Sequence, residues 1–210
     1  MFKNRTEAGI KLAEKLKEEF FLPAETLILA VPKGGVPVGK KISEILGLPL
    51  DVVIIKKITA PAAKDLIIGA VGKGGVVIWD EELCRKLEVS PEFRQRIVRQ
   101  KIKDLEKKDA DFRGQLPSPK LEGKTIILID DGAITGATLK TAITVIRNFR
   151  PKEIVVAVPV VAEDALAGLK QTADRLIYLE SPEMLFSLGQ FYEDFEEVPD
   201  AEVVQSLKLN

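Results

Sequence analysis

The stretch Thr125-Ile126-Ile127-Leu128-Ile129-Asp130-Asp131-Gly132-Ala133-Ile134-Thr135-Gly136-Ala137-Thr138 decides how this chain folds and where its chemistry lies. Its first five residues are an unbroken apolar and β-branched run. Such a run predicts a strand covered on both faces, the habit of a parallel sheet. Two carboxylates then stand at the strand's end, a costly place for charge unless it is paired or solvated. A turn of small residues follows, with Thr135 and Thr138 set among Gly132, Ala133, Gly136 and Ala137, and it feeds a helix that reaches about residue 149. Small side chains let an oxyanion approach backbone N–H groups, and a helix N-terminus favours that charge. The turn is not a nucleotide P-loop, because no Gly-Lys-Ser/Thr closes it. The carboxylates cannot take phosphate; they suit sugar hydroxyls, or a Mg²⁺ brought by the ligand. Together the two halves describe a site for a sugar phosphate.

Upstream, residues 3–21 place Leu12, Ala13, Leu16 and Phe20 at helical spacing. Residues 27–31 form a second buried strand, cut off at Pro32-Lys33-Gly34-Gly35. A helix over 36–46 ends at Gly47, and residues 50–55 form a further strand. Strand, loop, helix, strand is a βαβ unit. Residues 58–75, rich in alanine and glycine, predict a mobile loop and then one or two short strands ending at Trp79. Ser90-Pro91 opens a long helix to about residue 111. Strands over 154–158 and 176–179 flank a short helix over 163–171. The expected fold is an open, doubly wound, mainly parallel α/β sheet. It comprises one domain over 1–210, with a flexible loop at 58–75, a helical insertion at 81–113 and a hood at 180–200. In such sheets ligands lie beyond the carboxyl ends of the strands, where strand order reverses. The loops at 32–35 and 130–138 should face one crevice there.

Composition excludes several chemistries. The 210 residues include no histidine and one cysteine, Cys84. Ser-His-Asp and Cys-His catalysis, His-ligated zinc and intramolecular disulfides are therefore ruled out. Cys84 reads as a small core residue. Net charge is −1, so no general field favours nucleic acid or membrane. No leader is visible, and the longest apolar stretch, residues 154–162, is too short to cross a bilayer, so the chain is expected in the cytoplasm. Two charge runs stand out: net +3 over residues 92–113 and net −8 over 180–202. Each reads as a solvated face.

Residues 126–139 resemble the phosphoribosyl pyrophosphate (PRPP) motif of type I phosphoribosyltransferases, and the order of elements resembles that family over nearly the whole chain. The resemblance implies the following roles. Asp130 and Asp131 would hold the ribose 2′- and 3′-hydroxyls and serve catalysis. The loop Gly132, Ala133, Ile134, Thr135, Gly136, Ala137 and Thr138 would hold the 5′-phosphate. Lys33, Gly34 and Gly35 would bind pyrophosphate, with a non-proline cis peptide near Lys33-Gly34. The loop at 58–75 would close over the site, and Lys56 and Lys57 would face the pyrophosphate. In the hood, Phe186, Phe191 and Tyr192 would stack on the acceptor. Mg²⁺ would come with PRPP; no side chain is assigned as its ligand, with Asp130 and Asp131 the candidates.

The hood sequence, the long helix and the loop also resemble an uncharacterised bacterial branch of predicted phosphoribosyltransferases. That branch commonly has a glycine early in the loop, where this chain has Thr59-Ala60. Lys33 stands where many members have arginine. Hypoxanthine–guanine members have Asp just before the position of Thr135; this chain has Ile134, which argues against a 6-oxopurine acceptor. The expected activity is transfer of the 5-phosphoribosyl group from PRPP to a nitrogen nucleophile, with pyrophosphate released. A non-catalytic sensor of PRPP or nucleotides with the same fold is the alternative, favoured by the basic helix. Nucleic acid is an unlikely partner by charge, no membrane is expected, and a homodimer is left open.

Overall fold

The computed structural model describes residues 1–208, with Lys64 and Asp65 described as backbone alone. The chain divides into two units, one of residues 1–53 and 117–210 and one of residues 54–116.

The first unit is built on a five-stranded parallel sheet. Its strands are β1 (Thr26–Ala30), β2 (Leu50–Val52), β6 (Thr125–Ile129), β7 (Glu153–Val160) and β8 (Arg175–Glu180). Their order across the sheet is β2-β1-β6-β7-β8. All five residues of β1 and of β6 are buried. Each fully buried aliphatic side chain contributes about 1.5–3 kcal/mol relative to exposure, so these two strands anchor the core. The order runs outward from β1 in one direction and from β6 in the other. The reversal therefore falls between β1 and β6, which pair in parallel with Ala30 opposite Ile129. The loops after both strands open at the switch point where an open α/β sheet places its ligand.

Helices α1 (Arg5–Glu19), α2 (Gly35–Leu46), α5 (Ala137–Arg147), α6 (Glu163–Thr172) and α7 (Asp200–Lys208) complete this unit. Asn4 caps α1 by accepting the Glu7 amide at 3.0 Å. The face Ala8, Leu12, Ala13 and Leu16 is fully buried. Helix α2 stops at Gly47, whose φ of 65° is the left-handed conformation that closes helices at glycine. Helix α7 was not foreseen in the sequence.

The second unit differs from expectation. Residues 58–72 are not a loop. They belong to an antiparallel hairpin of β3 (Ile55–Ala60) and β4 (Ala63–Gly72), to which β5 (Val77–Trp79) adds a third strand. Small residues hide the alternation that signals a strand, and the turn at Pro61-Ala62 supplies no glycine or asparagine to mark a hairpin. Gly69 is required by packing: a Cβ there would lie 2.5 Å from the Ile78 carbonyl. Helices α3 (Glu81–Lys86) and α4 (Pro91–Arg113) follow. Ser90 caps α4 through the Phe93 amide at 3.2 Å, as Ser-Pro predicts. Cys84 is 1% exposed with its thiol 3.7 Å from the Ile68 carbonyl, a core residue whose ionisation burial opposes. Among the described residues no helix is long and apolar enough to cross a membrane.

Candidate functional site

The loops after β1 and β6 lie against one another. A Cβ on Gly35 would stand 2.7 Å from the Ile129 carbonyl and 2.9 Å from the Asp130 Cα. A Cβ on Gly34 would collide with the Asp131 carboxylate. The two glycines of Lys33-Gly34-Gly35 are thus needed for close approach to the acidic pair. The cis peptide in this loop is Pro32–Lys33, one bond earlier than the sequence expectation near Lys33-Gly34.

The loop 130–138 divides in two. Its first half is locked into the sheet. The Ala133 amide donates to the Val160 carbonyl at 2.8 Å, and the Ala133 carbonyl accepts from Ala162 at 2.9 Å. The Asp131 amide donates to its neighbour Asp130 at 3.0 Å. Gly132 lies against the Leu188 side chain and the Val160 carbonyl, so a side chain there would have to displace Leu188. Of the residues expected to hold phosphate, Gly132 and Ala133 therefore shape the loop, and the Ala133 amide is already committed.

The second half is open. Ile134 and Thr135 are exposed, and Gly136 adopts φ 68° at the start of α5. Gly136 brings no side chain to cap the helix, and Thr135 Oγ1 accepts the Ala137 amide at 3.3 Å. With the Ala137 amide taken by Thr135, the remaining first-turn amides and the positive dipole end of α5 are what suits an anion. A cavity of about 240 Å³ lies over this turn, lined by residues 130–139 and Leu188. A larger cavity, about 720 Å³, lies near Lys120, Asn148 and Arg150. Those residues precede β6 and β7, so it sits at the amino ends of the strands, away from the switch point.

The two carboxylates have different surroundings. Asp130 is half-buried at the rim. Asp131 is 7% exposed, and its Oδ2 accepts Arg5 Nε at 2.8 Å. The Arg5 guanidinium also donates to the Glu196 carbonyl at 2.8 Å and lies 3.8 Å above the Phe195 ring. Tyr192 donates its hydroxyl to the Asp131 carbonyl at 2.6 Å. Burial, reinforced by the charge of Asp131, pushes that phenol well above its ordinary range, so it remains a donor.

Tyr192 does not fit the sequence expectation of an acceptor platform. Its ring is 4% exposed and packs between Phe2, at 5.5 Å, and Phe195, at 4.9 Å. Phe191 leans on the same cluster. Both rings belong to the core under the hood, because the Phe2 amide pairs with the Phe191 carbonyl at 2.7 Å and draws the segment inward. Phe186 is different: it is 77% exposed and lines a cavity of about 490 Å³ that shares Ile134 and Thr135 with the cradle.

Lys33 is held by the acidic tail of the hood. Its Nζ lies 2.5 Å from Glu197 and 3.8 Å from Asp200. The bond to Glu197 raises the Lys33 pKa and lowers that of Glu197. Lys56 and Lys57 lie on β3 in the second unit, opposite Val71 and Ala70. The basic run on α4 is partly neutralised, since Arg94 pairs with Glu81 and Arg113 with Asp109.

Arg5, Glu197, Asp200 and Leu188 were missed in the sequence. Arg5 left one trace: a cation in the first turn of a helix opposes the dipole, so it must answer to something else. Among the described residues no three acidic, cysteine or histidine side chains group to hold a metal ion. A Mg²⁺ carried on a phosphate, needing only one or two carboxylates, is compatible with the half-buried Asp130.

A parallel sheet whose order reverses between β1 and β6, with two glycine-bearing loops and a helix N-terminus at that point, defines an open α/β protein with a crevice at the carboxyl ends of its strands. The sequence matches the family model for the phosphoribosyl transferase domain over residues 2–177, and the chain belongs to that family. Two Mycobacterium tuberculosis proteins provisionally named phosphoribosyl transferases are 31% identical over 207 residues, covering 99% of this chain. The chain spans about half the length of those relatives, 46% of each. Among solved structures, TT1426 from Thermus thermophilus is 33% identical with a TM-score of 0.87, over 98% of this chain and 97% of that one. The AQ2163 protein from Aquifex aeolicus shares the fold at 12% identity and a TM-score of 0.51, over 88% and 76% of the two chains.

Proposed function

We propose that the chain transfers the 5-phosphoribosyl group of PRPP to a nitrogen nucleophile. The observation that supports this reading is the open half of the loop after β6: exposed Thr135, Gly136 at the start of α5 and the half-buried Asp130 over one cavity. The amides and hydroxyls of residues 134–138 bind the 5′-phosphate, and the rim carboxylate takes ribose hydroxyls. Lys33 and the Gly34 backbone take pyrophosphate. In the reaction the acceptor nitrogen forms a bond to the anomeric carbon as the carbon–oxygen bond to pyrophosphate breaks. The electron pair leaves with pyrophosphate, and the proton of the acceptor N–H passes to water or to the departing phosphate.

Mg²⁺ bound to pyrophosphate would neutralise the charge that develops on the leaving group, with Asp130 beside it. The protein's part is to orient the two halves of PRPP and to stabilise a cationic sugar, work that requires no histidine. The acceptor approaches on the side of Ile134 and the exposed Phe186. Because Ile134 is apolar, no carboxylate at that position activates a purine nitrogen.

A screen of nucleobases and amines for PRPP-dependent release of pyrophosphate tests the proposal. Release with one acceptor class, lost in Thr135→Val, is expected. A chain that binds PRPP and Mg²⁺ but releases pyrophosphate with no acceptor would instead support a sensor.

A further inference from the structure

We propose that the second substrate is an aromatic amine or amino-substituted heterocycle carrying a cationic or donor-rich group, and that Asp164 and Glu183 select it against acceptors that bear a carboxylate. This inference rests on the phosphoribosyl-transfer reading above and narrows its acceptor to one charge class.

Backbone pairing brings the two acids to one wall. The Ala133 carbonyl accepts the Ala162 amide at 2.9 Å, which ties the start of α6 to the loop after β6. The Val161 amide donates to the Glu180 carbonyl at 3.0 Å, and the Glu163 amide to the Pro182 carbonyl at 3.1 Å, which ties the hood to the same place. Asp164, in the first turn of α6, and Glu183, in the hood, both line the cavity of about 490 Å³. That cavity shares Ile134 and Thr135 with the cradle, so an acceptor seated in it lies beside the sugar.

The cavity has an apolar side and a charged side. Ile134, Met184 and Phe186 are 38%, 73% and 77% exposed. Exposed apolar side chains gathered in one concavity suit a planar body. Among the described lining residues the charged groups are Asp164 and Glu183 alone. Both are exposed, and neither has an ion-pair partner among the described residues. Lys140 is turned elsewhere: a Cβ on Gly168 would meet its ammonium group, which lies over the next turn of α6, and Lys140 lines neither cavity. The hood adds net −8 over residues 180–202. A concavity lined by one sign of charge concentrates ligands of the other sign. A carboxylate placed here would meet two like charges and no cation. The attacking nitrogen needs its electron pair to bond the anomeric carbon as the bond to pyrophosphate breaks, so the positive charge belongs on another group of the same ring.

Three anilines with one ring and one nucleophile differ only in charge: 4-aminobenzamidine, 4-aminobenzamide and 4-aminobenzoate. Each is titrated by calorimetry into the full chain saturated with ribose 5-phosphate, which fills the cradle but has no leaving group. PRPP with Mg²⁺ is titrated separately, and pyrophosphate release from PRPP with each aniline should follow the same order as binding. Wild type is compared with Asp164→Asn/Glu183→Gln and with Phe186→Ala, circular dichroism checking the fold. Wild type should bind the amidine at least about tenfold more tightly than the benzoate, with the amide between them. The gap should narrow at about 1 M salt.

The bound sugar phosphate is itself an anion and favours the amidine in every chain, so the double variant isolates the protein's share. There the gap should shrink to about threefold or less, with PRPP affinity within about twofold of wild type. Phe186→Ala should weaken all three anilines by about fivefold and leave the gap in place. A wild type that binds PRPP but prefers the benzoate, holds the three anilines equally or binds none of them overturns this inference and leaves the transfer reading standing. A gap unchanged in the double variant does the same. A wild type that binds neither PRPP nor ribose 5-phosphate overturns the transfer reading and this inference with it.

Discussion

The loops after β1 and β6 sit side by side at the same switch point, yet one is open and the other is held. In the loop after β6, residues 134–138 line a cavity at the start of α5. In the loop after β1, Lys33 is tied to Glu197 and Asp200, and Gly34 is pressed onto Asp131. The open loop is made from consecutive residues, and its chemistry is local. The held loop is met by residues distant in sequence: Glu197 and Asp200 at Lys33, and at Gly34 the carboxylate of Asp131, itself paired with Arg5. A ligand with two phosphoryl ends would meet a ready surface at one end and a carboxylate already in place at the other.

The largest effect is expected at the tightest contact. Gly34→Ala puts a Cβ into the Asp131 carboxylate, which must shift or push the loop away. Overpacking of this kind costs about 1–3 kcal/mol. Urea denaturation should show that loss, and pyrophosphate affinity should fall with it. A variant as stable and as tight as wild type would mean the two loops are not seated together.

Tyr192→Phe removes one buried hydrogen bond to the Asp131 carbonyl. A loss of about 1–2 kcal/mol in unfolding free energy is expected, because the carbonyl loses its partner. No change would show that the hood does not brace the acidic pair.

The smallest effect concerns the Lys33 latch. Glu197→Gln should tighten pyrophosphate binding by about two- to fivefold at low salt, since an exposed pair is weak and a competitor is removed. The gain should fade at about 1 M salt, where screening is short-ranged. The pH dependence follows from the lowered Glu197 pKa. A carboxylate lowered in the folded state adds stability above its unfolded value, and that stability is lost as pH falls through the folded value. The latch should thus hold at neutral pH and open only in acid, below the ordinary range of a glutamate carboxyl. A latch that opened near neutrality would contradict the assignment.

Much of the open loop was legible in the sequence, because its parts are adjacent and of distinct types. Thr125–Ile129 is apolar throughout, and the acids, glycines and threonines follow in order. The strands β1 and β7 were legible for the same reason, each being a continuous buried run. The hairpin β3–β4 was not, because alanine and glycine carry little alternation and Pro61-Ala62 gives no hairpin signal. Tyr192 and Phe191 were misplaced because an aromatic pair reads alike in a core and at a ligand face. The pairing of Lys33 with Glu197 spans 164 residues, and no local pattern announces such a contact. The acidic run over 180–202, which reads as a solvated face, supplies that partner.

Titration of the full chain with PRPP and Mg²⁺, alongside Thr135→Val, tests the central claim most directly. Thr135 is exposed and its hydroxyl accepts only the Ala137 amide, so its loss should cost no more than about 0.5–2 kcal/mol of stability and leave the fold intact. Saturable one-to-one binding by wild type, weakened about tenfold or more in Thr135→Val, is the result the account predicts. Equal affinity in the two proteins, or no binding by either, would contradict it.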